Sequence, residues 1–160
     1  MSAIQHEVWI RAGKQAVFDA VTTQQGLDAW WGTALNGAVQ VGEVVQFEHG
    51  LGEPLRMQVM DAVPAQLVEW ECISDFEDPG SPASEWSGHR LRFELETAPT
   101  DTRHAWLRER LFAEHPDDEI TILRFQHAGW SPDDRWFSFC NTAWGVTLVS
   151  IQQHCEAAAN

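Results

Sequence analysis

The chain has 160 residues, enough for one domain with a sizeable hydrophobic core, and its net charge at pH 7 is −14. Neither half of the sequence contains a basic stripe, so we exclude nucleic acid as a partner and disfavour adsorption to a membrane surface. Nine tryptophans and eight phenylalanines, with no tyrosine, give a large aromatic surface that is almost free of hydroxyl groups.

The compartment is predicted from the cysteines and from the first residues. The chain has an odd number of cysteines, Cys72, Cys140 and Cys155, and they lack the short spacing of metal ligands. The start "MSAIQHEVWI" lacks the basic segment and the apolar run of a signal peptide, and no apolar stretch has the length of a membrane span. We therefore expect a cytoplasmic protein with three free thiols.

The first part of the chain predicts one strand followed by two short helices. Residues 4–10 alternate between two faces, and the more apolar face includes His6. After Gly13, "KQAVFDAVT" has the apolar spacing of a helix, and "QQGLDAWW" predicts a second short helical piece.

Strands dominate the middle of the chain. The segment "VQVGEVVQFEHG" (39–50) predicts a hairpin that reverses at its glycine. Alternating polarity predicts further strands, which cover residues 54–64, 66–73, 89–96 and 119–130. The facing of the last strand is ambiguous, because Ile122 and Leu123 are both apolar. Glu69 and Glu71 share the solvent face of their strand, which argues against a buried acid–base pair.

Two segments interrupt this pattern. Residues 74–88 are rich in proline, glycine, serine and acidic residues, and their length favours a mobile flap over a tight turn. Residues 97–119 contain "RHAWLRERLF", which fits either a short helix or extensions of both neighbouring strands. Periodicity alone does not choose between the two.

The last segment predicts the longest helix, from Asp133 to about Cys155. "SPDD" offers a serine cap, a proline in the first turn and two carboxylates beside the positive helix end. Apolar residues recur at helical spacing, namely Phe137, Cys140, Trp144, Leu148, Ile151 and Cys155. This wide apolar face is expected to lie on the inner face of the sheet.

The order of elements predicts an α+β fold, in which a curved antiparallel sheet of six to seven strands grips the C-terminal helix. The segments "VWIRAGKQAVFDAVTTQQGLDAWWG", "QLVEWEC", "WSGHRLRFELE" and "FQHAGWSPDDRWFSFCNTAWGVTLVSIQQHCE" resemble the SRPBCC (START-like, helix-grip) superfamily. Within it they are similar to the bacterial branch like the C-terminal domain of the activator of heat-shock protein 90 ATPase. The resemblance implies one START-like domain over residues 1–160, with an insertion at 97–119.

The pair Trp30 and Trp31 is the most conspicuous aromatic feature. In domains of this kind the segment carrying "WWG" closes one end of the grip. Adjacent residues on a helix point about 100° apart, so we expect one ring in the interior and the other outward or at a cavity mouth. The alternative is that both rings only fill space.

Catalytic signatures are absent from the sequence: there is no P-loop, no G-x-G-x-x-G, no nucleophile elbow and no H-E-x-x-H. His127 is the one weak catalytic candidate, because it lies at a strand end just before the last helix. The cysteines are read as small hydrophobes, and "HPDDE" (115–119) as an acidic solvated turn rather than a metal site. We expect neither a metal nor another cofactor.

A long helix across a curved sheet leaves a cavity where side chains do not fill the bend, and ligand pockets are mostly apolar with a few polar groups. The predicted lining consists of inward-facing residues: Trp30, Trp31, Met57, Val59, Trp70, Phe93, Leu95, Phe125, His127, Phe137, Cys140, Trp144 and Leu148. The expected covers are the segments "SDFEDPGSPASEW" and "NGAVQVGEVV". A flat, apolar or aromatic small molecule suits such a lining.

Three functions follow, in this order. The first is binding of a small hydrophobic ligand without a reaction, as in the lipid carriers and hormone receptors of the superfamily. The second is an enzyme of the same fold, a cyclase or hydrolase acting on an aromatic or polyketide-like substrate. The third is a chaperone-associated interaction module, and a homodimer is compatible with any of them.

Overall fold

The computed structural model describes residues 2–50, 52–99 and 105–159. Its strands are β1 (Ser2–Ile10), β2 (Val44–Phe47), β3 (Leu55–Val63), β4 (Leu67–Cys72), β5 (Arg90–Thr97) and β6 (Thr121–Trp130). Its α-helices are α1 (Lys14–Ala20), α2 (Gln24–Trp30), α3 (Ala105–Phe112) and α4 (Phe137–Ala159), and Pro82–Glu85 form a short 3-10 turn. Among these helices, none combines the length and the apolar character that crossing a membrane requires.

The six strands of the described residues form one antiparallel sheet in the order β1-β6-β5-β4-β3-β2. Alternate residues of each strand point to the core, where they meet the buried stripe of α4. A register shift between Val59 and Asp61 marks a bulge in β3, and such bulges bend a strand. The α+β fold with a long C-terminal helix is confirmed.

The two short helices pack closely enough to set the position of the tryptophan pair. The Thr23 side chain accepts a hydrogen bond from the Gly26 backbone N–H and so caps α2. A Cβ atom at Gly26 would lie 2.6 Å from the Ala20 Cα atom, so only glycine permits this approach of α1 and α2. The buried Trp30 indole then donates to the Ala20 carbonyl, with a nitrogen–oxygen distance of 2.6 Å.

The hairpin predicted within residues 39–50 is wrong. Only Val44–Phe47 form a strand, and its partner is β3 rather than residues 39–41. Gly42 does lie at a turn, with a φ of +93°, but the residues before it pack beside the turn between α1 and α2, where the Ala38 N–H donates to the Thr22 carbonyl. The glycine signal was correct, whereas the strand before it does not form.

Residues 97–119 form a helix in their middle part, which the sequence left undecided. The helix α3 and the strand β6 bury a second, smaller cluster on the outer face of the sheet, made of Trp9, Ala98, Phe112, Ile120 and Ile122. Ile122 therefore belongs to this outer cluster and Leu123 to the main core, which explains why both are apolar. That residues 97–119 are an insertion into a single domain remains a prediction.

The start of α4 also differs from the prediction, since the helix begins at Phe137 and not at Asp133. The "SPDD" residues form a separate turn, in which the Ser131 N–H donates to the Asp134 carboxylate. Glu85 supplies the cap instead, because its two carboxylate oxygens accept hydrogen bonds from the backbone N–H groups of Arg135 and Trp136. A residue 50 positions away thus holds the chain just before α4 and places a negative charge beside the positive helix end.

Candidate functional site

A pocket of about 290 Å³ opens beside the N-terminal half of α4. Its lining comes from the end of α2, from the end of β2, from the start of β3, from the 82–86 segment and from α4: Trp31, Gly32, Thr33, Phe47, Glu48, His49, Leu55, Pro82, Ala83, Trp86, Phe139, Cys140, Ala143, Trp144 and Thr147. Glu48 and Phe139 are exposed to solvent, so the pocket is open at this rim.

Four rings form the aromatic wall of the pocket, which we define as Trp31, Phe47, Trp86 and Trp144. Trp31 is their hub: its ring centroid lies 4.4 Å from that of Phe47, 5.4 Å from Trp144 and 6.3 Å from Trp86. Such separations are those of attractive aromatic pairs. The wall is therefore held in place by its own rings.

The tryptophan pair divides as expected, with Trp30 buried and the half-buried Trp31 at the pocket. The two rings nevertheless touch, because they stack with an interplanar angle of 3° and a centroid distance of 5.6 Å. Trp31 ends α2 as its C-terminal cap, and the tight packing at Gly26 orients this end of the helix. Although Trp30 and Trp31 start from different faces of the helix, their side chains are oriented so that the two rings stack.

Most of the other predicted lining residues lie behind this wall. Trp31, Cys140 and Trp144 line the pocket, whereas Trp70, Phe93 and Phe125 pack in a second layer behind it. The remaining seven are packed away from the pocket: Trp30, Met57, Val59, Leu95, His127, Phe137 and Leu148. The prediction that these strand residues face the core was correct. Aromatic rings fill most of the space between the sheet and α4, however, and this pocket remains open only near β2.

Sequence reasoning missed the wall residues Phe47 and Trp86 and the rim residues Glu48, His49 and Phe139. Phe47 lay in the segment taken for a hairpin, and Trp86 lay in the loop taken for a mobile flap. A tryptophan in a polar loop was the available signal. Trp86 is buried and, with Phe76, anchors residues 74–88 to the core, so this segment forms a fixed wall. The other expected cover, residues 36–45, does not line the pocket.

His127 lies in a buried chain of hydrogen bonds behind the wall. The Trp144 indole N–H donates to Nδ1 of His127, with a nitrogen–nitrogen distance of 3.0 Å, so Nδ1 carries no proton. The proton of the neutral ring is then on Nε2, which donates to Nδ1 of His89 at 2.9 Å. Burial lowers the pKa of both histidines, that of His127 to about 3. No ring nitrogen of His127 remains for acid–base chemistry at the pocket.

The thiols offer no activated nucleophile. Cys72, Cys140 and Cys155 are free and buried, and burial raises the pKa of each thiol to about 11. A reactive cysteine needs the opposite shift. In the described ranges no group of three or more histidine, cysteine, aspartate or glutamate side chains could hold a metal ion. His115 instead pairs with Asp118 at 3.4 Å in its exposed turn.

The outer face of the sheet carries a larger groove of about 380 Å³, but its charged groups already pair with one another. Arg92 binds Glu69 and Glu94 at 3.2 and 2.7 Å, and Arg124 binds Glu7 at 2.9 Å. Glu69 is thus on the outer face, as the alternation predicted. Because these side chains satisfy each other, the aromatic pocket is the better candidate site.

A scan against protein-family models finds no match, and a search of curated proteins finds no similar sequence. Solved structures do match. The Aha1 dimer from Colwellia psychrerythraea is 26% identical, with 98% of this chain and 97% of that chain covered and a TM-score of 0.73. The chain has the helix-grip fold of the SRPBCC superfamily, which is what the sequence resemblance implied.

Two further structures share this fold at lower identity. A protein from Mesorhizobium loti is 17% identical over 95% of both chains, with a TM-score of 0.70. A protein from Bacillus halodurans is 18% identical over 98% of both chains, with a TM-score of 0.69. These matches show that the fold extends over nearly the whole chain.

Proposed function

We propose that the protein binds a small apolar or aromatic molecule in the pocket bounded by the aromatic wall. One observation carries this proposal: three indole rings and Phe47 bound an open space of about 290 Å³ instead of closing on it. An apolar cavity of about 150 Å³ accommodates benzene, so this pocket has room for a molecule with two fused rings. The three free cysteines support a cytoplasmic setting.

Native mass spectrometry of the freshly purified protein is the first test, because a co-purified ligand would appear as added mass that denaturation releases. The second test is calorimetric titration with quinoline, an uncharged two-ring probe at pH 8. We expect Trp31→Ala to weaken quinoline binding at least tenfold, since it removes the hub of the wall. Trp106→Ala is the matched control, because Trp106 is 63% exposed on α3, away from the pocket.

The proposal is contradicted if the wild-type protein carries no ligand and binds no quinoline at millimolar concentration. It is also contradicted if Trp31→Ala, shown to be folded by circular dichroism, binds quinoline as the wild type does. A partner protein would then become the better hypothesis.

A second proposal concerns self-association through the outer face of α4. No charged residue occurs from Phe137 to Cys155, although the chain carries 24 acidic residues. Phe139, Val146 and Val149 are exposed there with spacings of seven and three residues, which place them on one side of the helix as in a helix-pairing seam. Two copies with a net charge of −14 repel each other, so a charge-free helix face suits contact between them. The Aha1 neighbour was solved as a dimer.

Light scattering with size-exclusion chromatography tests this second proposal. We expect the wild type to elute as a dimer and Val146→Glu as a monomer of 18.1 kDa. Val41→Glu is the matched control, because Val41 is 63% exposed in a loop and Val146 is 65% exposed. A wild type that is monomeric at about 100 µM, or a Val146→Glu variant that is dimeric, would refute the seam.

A further inference from the structure

We infer that the ligand of this pocket is a flat aromatic cation, bound against the aromatic wall with its positive charge towards Glu48. This inference rests on the proposed function and names the charge class of the molecule. It follows from which charged groups surround the pocket, from which of them are already paired, and from what the indole rings offer.

The lining contains no arginine and no lysine. Its titratable residues are Glu48, His49 and Cys140. Glu48 is exposed, and its carboxylate makes no hydrogen bond or ion pair with any described residue. Burial lowers the pKa of His49 and raises the pKa of the Cys140 thiol to about 11, so both groups are neutral at pH 7. The remaining fixed charge of the lining is the negative one of Glu48.

The other nearby feature that attracts anions, the positive end of α4, already has a carboxylate beside it. The N-terminus of α4 lies beside the pocket, and free backbone N–H groups at such an end bind carboxylates and phosphates. Here the Glu85 carboxylate accepts the N–H groups of Arg135 and Trp136, at 2.9 and 2.7 Å. The negative charge of Glu85 therefore opposes the binding of a fatty acid or a phosphorylated molecule at this end of the pocket.

The aromatic wall favours a cation directly. The electron-rich face of an indole ring attracts a positive charge more strongly than any other side-chain ring, and Trp31, Trp86 and Trp144 all line the pocket. The Trp144 N–H, the electropositive edge of that ring, points away from the pocket to His127. In addition, a net charge of −14 raises the local concentration of cations around the whole protein.

Three probes of similar shape test the inference by calorimetry at pH 8 and low salt: N-methylquinolinium as the cation, quinoline as the neutral form and 2-naphthoate as the anion. We expect N-methylquinolinium to bind about tenfold more tightly than quinoline and 2-naphthoate to bind more weakly than both. Trp31→Ala should weaken both quinoline compounds, because the wall serves either of them.

The variant Glu48→Gln distinguishes the effect of the Glu48 carboxylate on binding from the effect of the net charge of the protein. We expect it to lower the affinity for N-methylquinolinium at least threefold and to leave the affinity for quinoline unchanged. Glu114→Gln is the matched control, since it removes the same charge at an exposed position beyond α3, outside the pocket. If only the overall field acted, the two variants would behave alike.

The outcomes keep the two proposals distinguishable. Quinoline binding as tightly as N-methylquinolinium, or 2-naphthoate binding more tightly, overturns the inference of a cation and leaves the proposed function standing. Equal effects of Glu48→Gln and Glu114→Gln overturn the role of Glu48. If none of the three probes binds to the wild type, the proposed function fails and the inference fails with it.

Discussion

Acidification should destabilise the protein through His127, which is fully buried. Its Nδ1 accepts from Trp144 and its Nε2 donates to His89, so a second ring proton would break the first of these bonds. Burial, and to a lesser degree the nearby His89, lowers the pKa of His127 from 6.5 to about 3. Between these values the unfolded chain holds a proton that the folded protein does not hold. The free energy of unfolding therefore falls as the pH falls from about 6.5 towards 3.

The magnitude follows from the size of this shift. One pKa unit corresponds to about 1.4 kcal/mol. Integrated from pH 7.5 to pH 4.5, the His127 contribution to the free energy of unfolding decreases by about 2.5 kcal/mol. Burial also lowers the pKa of His49 and of His89, and these groups add to the same slope. The contribution of His127 is therefore measured as the difference in the free energy of unfolding between the wild type and a variant that lacks this histidine.

The assay is urea unfolding, followed by tryptophan fluorescence, of the wild type and His127→Gln at half-unit steps from pH 7.5 to pH 4.5. Glutamine offers an acceptor and a donor for Trp144 and His89, so we expect it to fold, with a loss of about 1–3 kcal/mol at pH 7.5. The stability of the variant should depend less on pH. Equal slopes would refute the reasoning, as would an NMR titration in which the His127 ring of the wild type gains its proton near pH 6.5.

Three further predictions concern packing, capping and thiol chemistry. Gly26→Ala should destabilise the protein by more than about 1 kcal/mol, although alanine is the better helix former, because its Cβ would lie 2.6 Å from a backbone atom of α1. Gly145→Ala is the control, with its nearest contact at 3.4 Å, and thermal unfolding should show that it loses less; the reverse order would contradict the packing of α1 on α2. Glu85→Ala should cost about 1–2 kcal/mol in chemical denaturation, because the two backbone N–H groups just before α4 lose their acceptor. An unchanged midpoint would mean that solvent satisfies these groups equally well. Iodoacetamide at pH 8 should leave Cys140 of the folded protein unmodified, given a pKa of about 11, and rapid alkylation seen by mass spectrometry would show that the thiol is activated.

Some parts of the candidate site were predictable because they depend on periodicity. Cys140 and Trp144 were placed on the inner stripe of the last helix by their spacing of four residues, and both line the pocket. The division between Trp30 and Trp31 followed from the angle between adjacent helical residues. Each of these inferences uses only residues that are close together in the chain.

Other parts were not predictable, because they depend on contacts between distant segments. Trp86 belongs to a loop whose composition is polar, and only its packing against Trp31 and Trp144 makes it a wall of the pocket. His127 looked like a polar group facing a chamber until its two neighbours, His89 and Trp144, were seen to occupy both ring nitrogens. Inward parity shows that a side chain faces the core, but it does not show whether the space beside it is filled.

The sequence by itself determined most of the elements, the inner and outer faces of β3, β4 and β5 and the presence of the long helix, because hydrophobic periodicity acts locally and persists in the folded chain. It also determined the charge balance, from which we predict a low affinity for polyanions. Tertiary structure alone decided where α4 begins, since Glu85 caps it from a distant loop. It alone decided where the cavity lies, because a cavity is the space left after rings from four separate segments have packed, and no local sequence pattern encodes that space.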